Sequence, residues 1–136
     1  MLFFKRRAPQ KEIQSVYSVL DAAADKYDCI NYPTFETIKG HIIDSIKPCE
    51  KELAEQIKQG RSPVEVIYML IVNISGDLAQ SGQFHVYRGV LNPVRGADLV
   101  KIHDSAIAEL VKIGFINDDQ AKEQMKGLRE CIAIAG

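Results

Sequence analysis

The feature that most constrains the fold is an apolar run that follows a strong helix-start signal. The segment Ser62–Glu65 begins with serine followed by proline and ends with glutamate, the pattern of a capping box with proline at the first helical position. From Val64 to Ile74, nine of eleven residues are apolar. Because a helix that is apolar nearly all round is buried on most sides, we predict a hydrophobic central helix over about 62–88, with Gly89 as its terminating glycine.

Apolar residues at steps of three and four predict two further helices before the central one. The first is expected from about Pro9 to Tyr27. The segment Asn31–Thr34 is typical of a turn, with Thr34 as the N-cap of a second helix that ends near Gly60.

Pro48 interrupts the second of these helices. Inside a helix, proline removes a hydrogen bond and clashes with the carbonyl four residues earlier, at a cost of about 3 kcal/mol. Either the helix kinks near Asp44, or it stops near Ile46 and restarts with Pro48 in its first turn. The sequence leaves both alternatives open.

Two more helices are predicted after the central one. Asn92 followed by proline repeats the start signal, and the apolar stripe behind it is closed by Gly114. The segment Asn117–Gln120 has the residue types of a second capping box and opens the last helix. The expected fold is all-α, a compact bundle of about five helices, with a short tail over residues 1–8 and a single helical domain over 9–136.

Composition limits the compartment and the partners. The chain has 136 residues and a net charge of −1, so no overall positive field favours nucleic acid. Cys29, Cys49 and Cys131 are widely spaced and form no CxxC pair, which is typical of free thiols in a reducing cytoplasm. Cys49 and Cys131 lie on apolar stripes and are expected to be buried. The longest uncharged run, Val66–Gly76, is too short for a transmembrane helix.

The N-terminal tail is apolar first and basic second. Leu2, Phe3 and Phe4 precede Lys5–Arg7, whereas a signal peptide has the reverse order. Residues 1–7 are suited to weak contact with an anionic membrane surface. Alternatively, their apolar side chains dock on the domain itself or on a sister subunit.

No pattern of catalytic or metal-binding residues is present in the sequence. His41, His85 and His103 have no Glu or His residue three or four positions away, so we expect no metal and no other cofactor. His103 and Asp104 are adjacent and should point about 100° apart on a helix. Asp77, on the central helix, is either buried with a partner or lies where the helix has emerged into solvent.

The most distinctive cluster lies between Gly82 and Gly96, inside the acid-free window Leu78–Ala97. Free N–H groups at a helix start and two arginines could hold an anion such as phosphate there. The candidate ligand-binding residues are His85, Tyr87, Arg88, Asn92 and Arg95. The same residues also make an ordinary helix stop followed by a helix start.

Two functions are therefore compatible with the sequence. The first is a non-catalytic protein-interaction or regulatory module, acting as a homo-oligomer, most simply a dimer, or with another protein. The central helix and both apolar termini favour it, because they supply more apolar surface than a small bundle easily buries. The alternative is a small-molecule binder or enzyme that holds an anionic group at the turn around Gly89.

Overall fold

The computed structural model describes residues 10–84 and 94–135, except for the side chains of residues 10, 29–32, 134 and 135. These residues form five α-helices and no strand, which confirms the all-α bundle. The predicted tail over residues 1–8 lies outside the described residues. The elements in chain order are α1 (Gln10–Ile46), a 3₁₀ turn (Lys47–Cys49), α2 (Glu50–Lys58), α3 (Pro63–Gln80), α4 (Gly96–Lys112) and α5 (Asp118–Ala135).

The centre of the bundle is α3, which packs against α1, α4 and α5. Its start is as predicted: the Glu65 N–H donates to the Ser62 hydroxyl across 3.4 Å, with proline at the first helical position. Ile67 and Ile71, one turn apart, are fully buried. The hydrophobic central helix is thereby confirmed.

The predicted end of the central helix near residue 88 is wrong, because α3 ends at Gln80. Gly82 adopts φ +70°, a left-handed conformation that a side chain disfavours. Its N–H donates to the Ala79 carbonyl, and the Gln83 N–H donates to the Leu78 carbonyl across 2.9 Å. These paired bonds satisfy the last carbonyls of the helix, so the terminating glycine of α3 is Gly82. Gly89 lies outside the described residues.

The predicted turn at Asn31–Thr34 is also wrong, because α1 continues through Pro33 as one helix of 37 residues. Thr34 is a fully buried residue inside the helix and caps nothing at its start. Phe35 and Ile38 are fully buried as well. Burial of large apolar side chains stabilises by about 1.5–3 kcal/mol each, which is enough to offset one proline in the helix.

At Pro48 the structure selects between the two alternatives. The helix stops at Ile46, a 3₁₀ turn carries Pro48 in its first positions, and α2 restarts at Glu50. The Tyr17 hydroxyl of α1 donates to the Glu50 carboxylate across 2.6 Å and ties α2 back to α1. Burial and the Glu50 carboxylate together raise the pKa of Tyr17 to about 12. Cys49 is exposed, so its predicted burial is wrong.

The last two helices are joined by a short turn. α4 starts at Gly96 with Arg95 in the N-cap position, so the prediction of Asn92 as its cap is wrong. Gly114 follows α4 in a left-handed conformation, as predicted. The capping box of α5 is confirmed in both directions. Asn117 Oδ1 accepts from the Gln120 N–H across 2.8 Å, and Gln120 Oε1 accepts from the Asn117 N–H across 2.9 Å.

Candidate functional site

Of the five residues that the sequence predicts to bind an anion, only Arg95 is described. His85, Tyr87, Arg88 and Asn92 lie outside the described residues, so their convergence on a ligand stays a prediction. Arg95 precedes the first turn of α4, and its side chain is 58% exposed. Its guanidinium Nη1 lies 3.8 Å from Asp98 Oδ2.

Asp98 is the residue near this turn that the sequence analysis missed. It directly follows the acid-free window and is 2% exposed. Its carboxylate accepts a hydrogen bond from the Thr34 hydroxyl across 3.1 Å. Part of the positive charge of Arg95 is therefore already balanced by Asp98, which leaves less of it for an anionic ligand.

A second candidate site is a cleft between α3 and α5, which we call the α3–α5 cleft. It has a volume of about 530 Å³, and α4 contributes one side chain to it, His103. Ligand pockets commonly measure about 300–1,000 Å³. Its lining contains two apolar side chains, two glycines and six side chains with polar atoms or a thiol. These six are Asn73, Asp77, Gln80, His103, Gln124 and Cys131.

His103 is the most unusual of these residues. Its side chain is only 4% exposed, and its buried Nδ1 has no hydrogen-bond partner among residues 10–84 and 94–135. The acid beside it is Asp104, whose Oδ1 lies 3.7 Å from Nδ1. The two side chains are thus closer than expected for adjacent positions on a helix, but this distance is too long for a hydrogen bond. Burial lowers the pKa of His103; Asp104 opposes this shift and Arg129 adds to it. Burial therefore favours the neutral form of the imidazole.

The other polar groups of the cleft are more accessible. Asp77 is exposed, which confirms the alternative in which α3 has emerged into solvent at this position. Cys131 is half-buried, so its predicted burial is only partial. Among the hydrogen bonds of the described residues, none joins His103 to Cys131 or Asp77.

The outer face of α5 carries a third feature, a shallow hollow that we call the α5 hollow. It also measures about 530 Å³ and is mostly apolar. Its lining residues are Lys122, Met125, Lys126, Arg129, Glu130 and Ala133. Arg129 is paired with Asp104 of α4, with Nη2 and Oδ2 2.5 Å apart. In the turn before α5, Ile113 and Phe115 are 44% and 42% exposed.

Comparisons with known proteins identify no relative of this chain. No protein-family model, curated protein or solved structure matches the chain. Within residues 10–84 and 94–135, no three His, Cys, Asp or Glu side chains are grouped closely enough to hold a metal ion. No helix in this part of the chain has the length and apolarity needed to cross a membrane.

Proposed function

We propose that the protein is a non-catalytic interaction module that recognises an acidic, amphipathic helix of a partner protein through the α5 hollow. The observation that supports this is the combination of an apolar floor with two exposed lysines at its edge, for which the described residues supply no ion-pair partner. Met125 and Ala133 supply the floor, together with the aliphatic stems of the lysines. Methionine is well suited to such a surface because its unbranched side chain adapts to different partners.

The charges of the α5 hollow favour an acidic partner. Arg129 is balanced by Asp104, and the exposed Lys122 and Lys126 outweigh the one carboxylate of the described lining, Glu130, by one positive charge. These two lysines are one helical turn apart, so their ammonium groups lie along one edge. A partner helix with two carboxylates one turn apart, beside a leucine stripe, would place opposite charges together and lay its apolar face on Met125.

We test this proposal with two synthetic helical peptides that share a leucine stripe and differ only in flanking Glu or Lys residues. The Glu peptide should bind the wild-type protein, and raising the salt concentration should weaken the complex. The double variant K122E/K126E should lose at least about tenfold in affinity, because two attractive contacts become repulsive. Fluorescence anisotropy measures both effects.

The matched control reverses two lysines elsewhere. Lys51 on α2 and Lys101 on α4 are exposed and do not line the α5 hollow. The variant K51E/K101E has the same net charge as K122E/K126E and should bind the Glu peptide almost as well as the wild type. Equal losses in the two variants would mean that only the overall charge matters. Binding of the Lys peptide as tight as that of the Glu peptide would overturn the proposal.

Self-association is the second part of this proposal. Ile113 and Phe115 are the exposed large hydrophobic residues of the described chain. They are two positions apart in the α4–α5 turn, where contact with a second copy would remove both from water. A two-fold symmetric dimer is the simplest assembly of this kind.

A further inference from the structure

We propose that the α3–α5 cleft binds a small organic amine, with the ammonium group at Asp77 and the hydrocarbon part against Val72 and Leu128. This site is separate from the α5 hollow, since no described residue lines both. Binding of an amine in this cleft is therefore independent of the proposed partner helix. It depends on three features of the cleft: its space, its charge and the environment of His103.

The space comes from two glycines on facing helices. A Cβ built at Gly76 of α3 or at Gly127 of α5 would meet no atom within 4 Å. Neither glycine is therefore needed to bring the helices close together. A glycine inside a helix costs roughly 1 kcal/mol relative to alanine, yet both wall helices carry one where they line the cleft. The absence of side chains at these positions keeps the cleft open.

The charge of the lining selects for a cation. Among the described residues of the lining, Asp77 is the one with a formal charge at pH 7, because burial favours the neutral form of His103 and none of these residues is Lys or Arg. A carboxylate or phosphate ligand would meet Asp77 as a like charge. An ammonium group would meet it as an ion pair, while Val72 and Leu128 contact its apolar part.

The environment of His103 also favours a ligand that donates hydrogen bonds. The Asp104 carboxylate lies 3.7 Å from Nδ1 and favours the tautomer with the proton on that nitrogen. Nε2 is then the acceptor nitrogen of the ring. Because His103 lines the cleft, this acceptor nitrogen adds to the preference of the site for a ligand that donates hydrogen bonds.

The experiment uses three probes of similar size and different charge: 2-phenylethylamine, 2-phenylethanol and 3-phenylpropionate. Each is titrated into the full-length ¹⁵N-labelled protein at pH 7.5 to millimolar concentration, and the amide shifts of Gly76 and Gly127 are followed. We expect the amine to bind about three- to fivefold more tightly than the alcohol, the range for a partly exposed ion pair. The carboxylate should bind more weakly than the alcohol.

Variants separate the charge from the space. Asp77→Asn should reduce the affinity for the amine to that for the alcohol and leave the affinity for the alcohol unchanged. Gly76→Leu should fill the cleft and abolish binding of both. Its matched control is Gly40→Leu on α1, since Gly40 is exposed, lies inside a helix and also has open space around its Cβ position.

Each outcome of these titrations either supports or overturns the proposal. Binding of all three probes with equal affinity, or tightest binding of the carboxylate, would overturn the amine assignment. Absence of shifts at Gly76 and Gly127 with every probe at millimolar concentration would overturn the site itself. Loss of amine binding in Gly76→Leu but not in Gly40→Leu, with the expected order of affinities, would support both.

Discussion

The hydroxyl of Thr34 in α1 donates a hydrogen bond to the Asp98 carboxylate in the first turn of α4, across 3.1 Å. Thr34 is fully buried, and Asp98 is 2% exposed. The same hydroxyl oxygen accepts from the backbone N–H of Arg95 across 3.0 Å. One threonine thus satisfies a buried carboxylate and an N–H group at the start of a helix, at positions 64 and 61 residues further along the chain.

Replacing Thr34 with valine keeps the shape of the side chain and removes both hydrogen bonds. The free energy of unfolding should fall by about 1–3 kcal/mol, because the buried Asp98 carboxylate and the Arg95 N–H lose a partner. Urea denaturation followed by circular dichroism measures the change. The matched control is Thr37→Val, since the Thr37 hydroxyl bonds only the Pro33 carbonyl at an exposed position. Equal effects of the two substitutions would contradict the role assigned to Thr34.

The central helix offers a second matched pair. Ile71 is fully buried in the core, whereas its neighbour Leu70 is only partly buried. Ile71→Ala should lower the free energy of unfolding by about 2–5 kcal/mol, since it removes buried methyl groups and leaves a cavity. Leu70→Ala should cost clearly less. A larger effect at Leu70, measured by the same urea titration, would mean that the other face of α3 is the buried one.

Local signals in the sequence were enough to predict three of the helix ends. The Ser62–Glu65 box, the Asn117–Gln120 box and Gly114 each act through bonds within a few residues, so the chain itself specifies them. Pro33 shows where local signals fail. The buried positions Tyr27, Thr34 and Ile38 keep the same phase on both sides of Pro33, separated by seven and then four residues. Because this helical spacing continues through Pro33, it predicts a single helix. The prediction of a turn relied instead on the residue types around Pro33, which are typical of turns.

The candidate sites were less predictable for a different reason. The α3–α5 cleft brings together Asp77, His103 and Gln124, one from each of three helices. Their positions in the sequence follow no helical or motif spacing, so only the packing of α3, α4 and α5 brings them to one cleft. The role of Asp98 could not be predicted, because the sequence does not show that a hydroxyl from α1 reaches its carboxylate.

Self-association can be measured directly. We expect sedimentation velocity at micromolar concentration to show a dimer, because Ile113 and Phe115 would then be covered. The double variant I113S/F115S should sediment as a monomer with unchanged helical circular dichroism. The control K51E/K101E should stay dimeric. A wild-type protein that sediments as a monomer, with a melting temperature that dilution does not alter, would contradict this prediction.

The stability of the protein should depend on pH through His103. Burial lowers its pKa below the usual value of 6.5, so the unfolded chain takes up this proton at a higher pH than the folded chain does. The free energy of unfolding therefore has its full value above about pH 7 and decreases as the pH falls through 6.5 towards the pKa of His103 in the folded protein. The slope for one proton is at most about 1.4 kcal/mol per pH unit. Urea denaturation at several values between pH 7.5 and 5.5 should show this decline.

Two variants isolate the effect of this one proton. His103→Phe retains an aromatic ring but cannot titrate, so the decline between pH 7.5 and 5.5 should become shallower. It should also remove the cost of the unpartnered Nδ1, so the stability at pH 5.5 should match or exceed that of the wild type. His41→Gln, at an exposed position, should keep the wild-type slope. A His103 ring signal that titrates at or above pH 6.5 in NMR would show that the imidazole is not held neutral by burial, and the wild-type decline would then need another source.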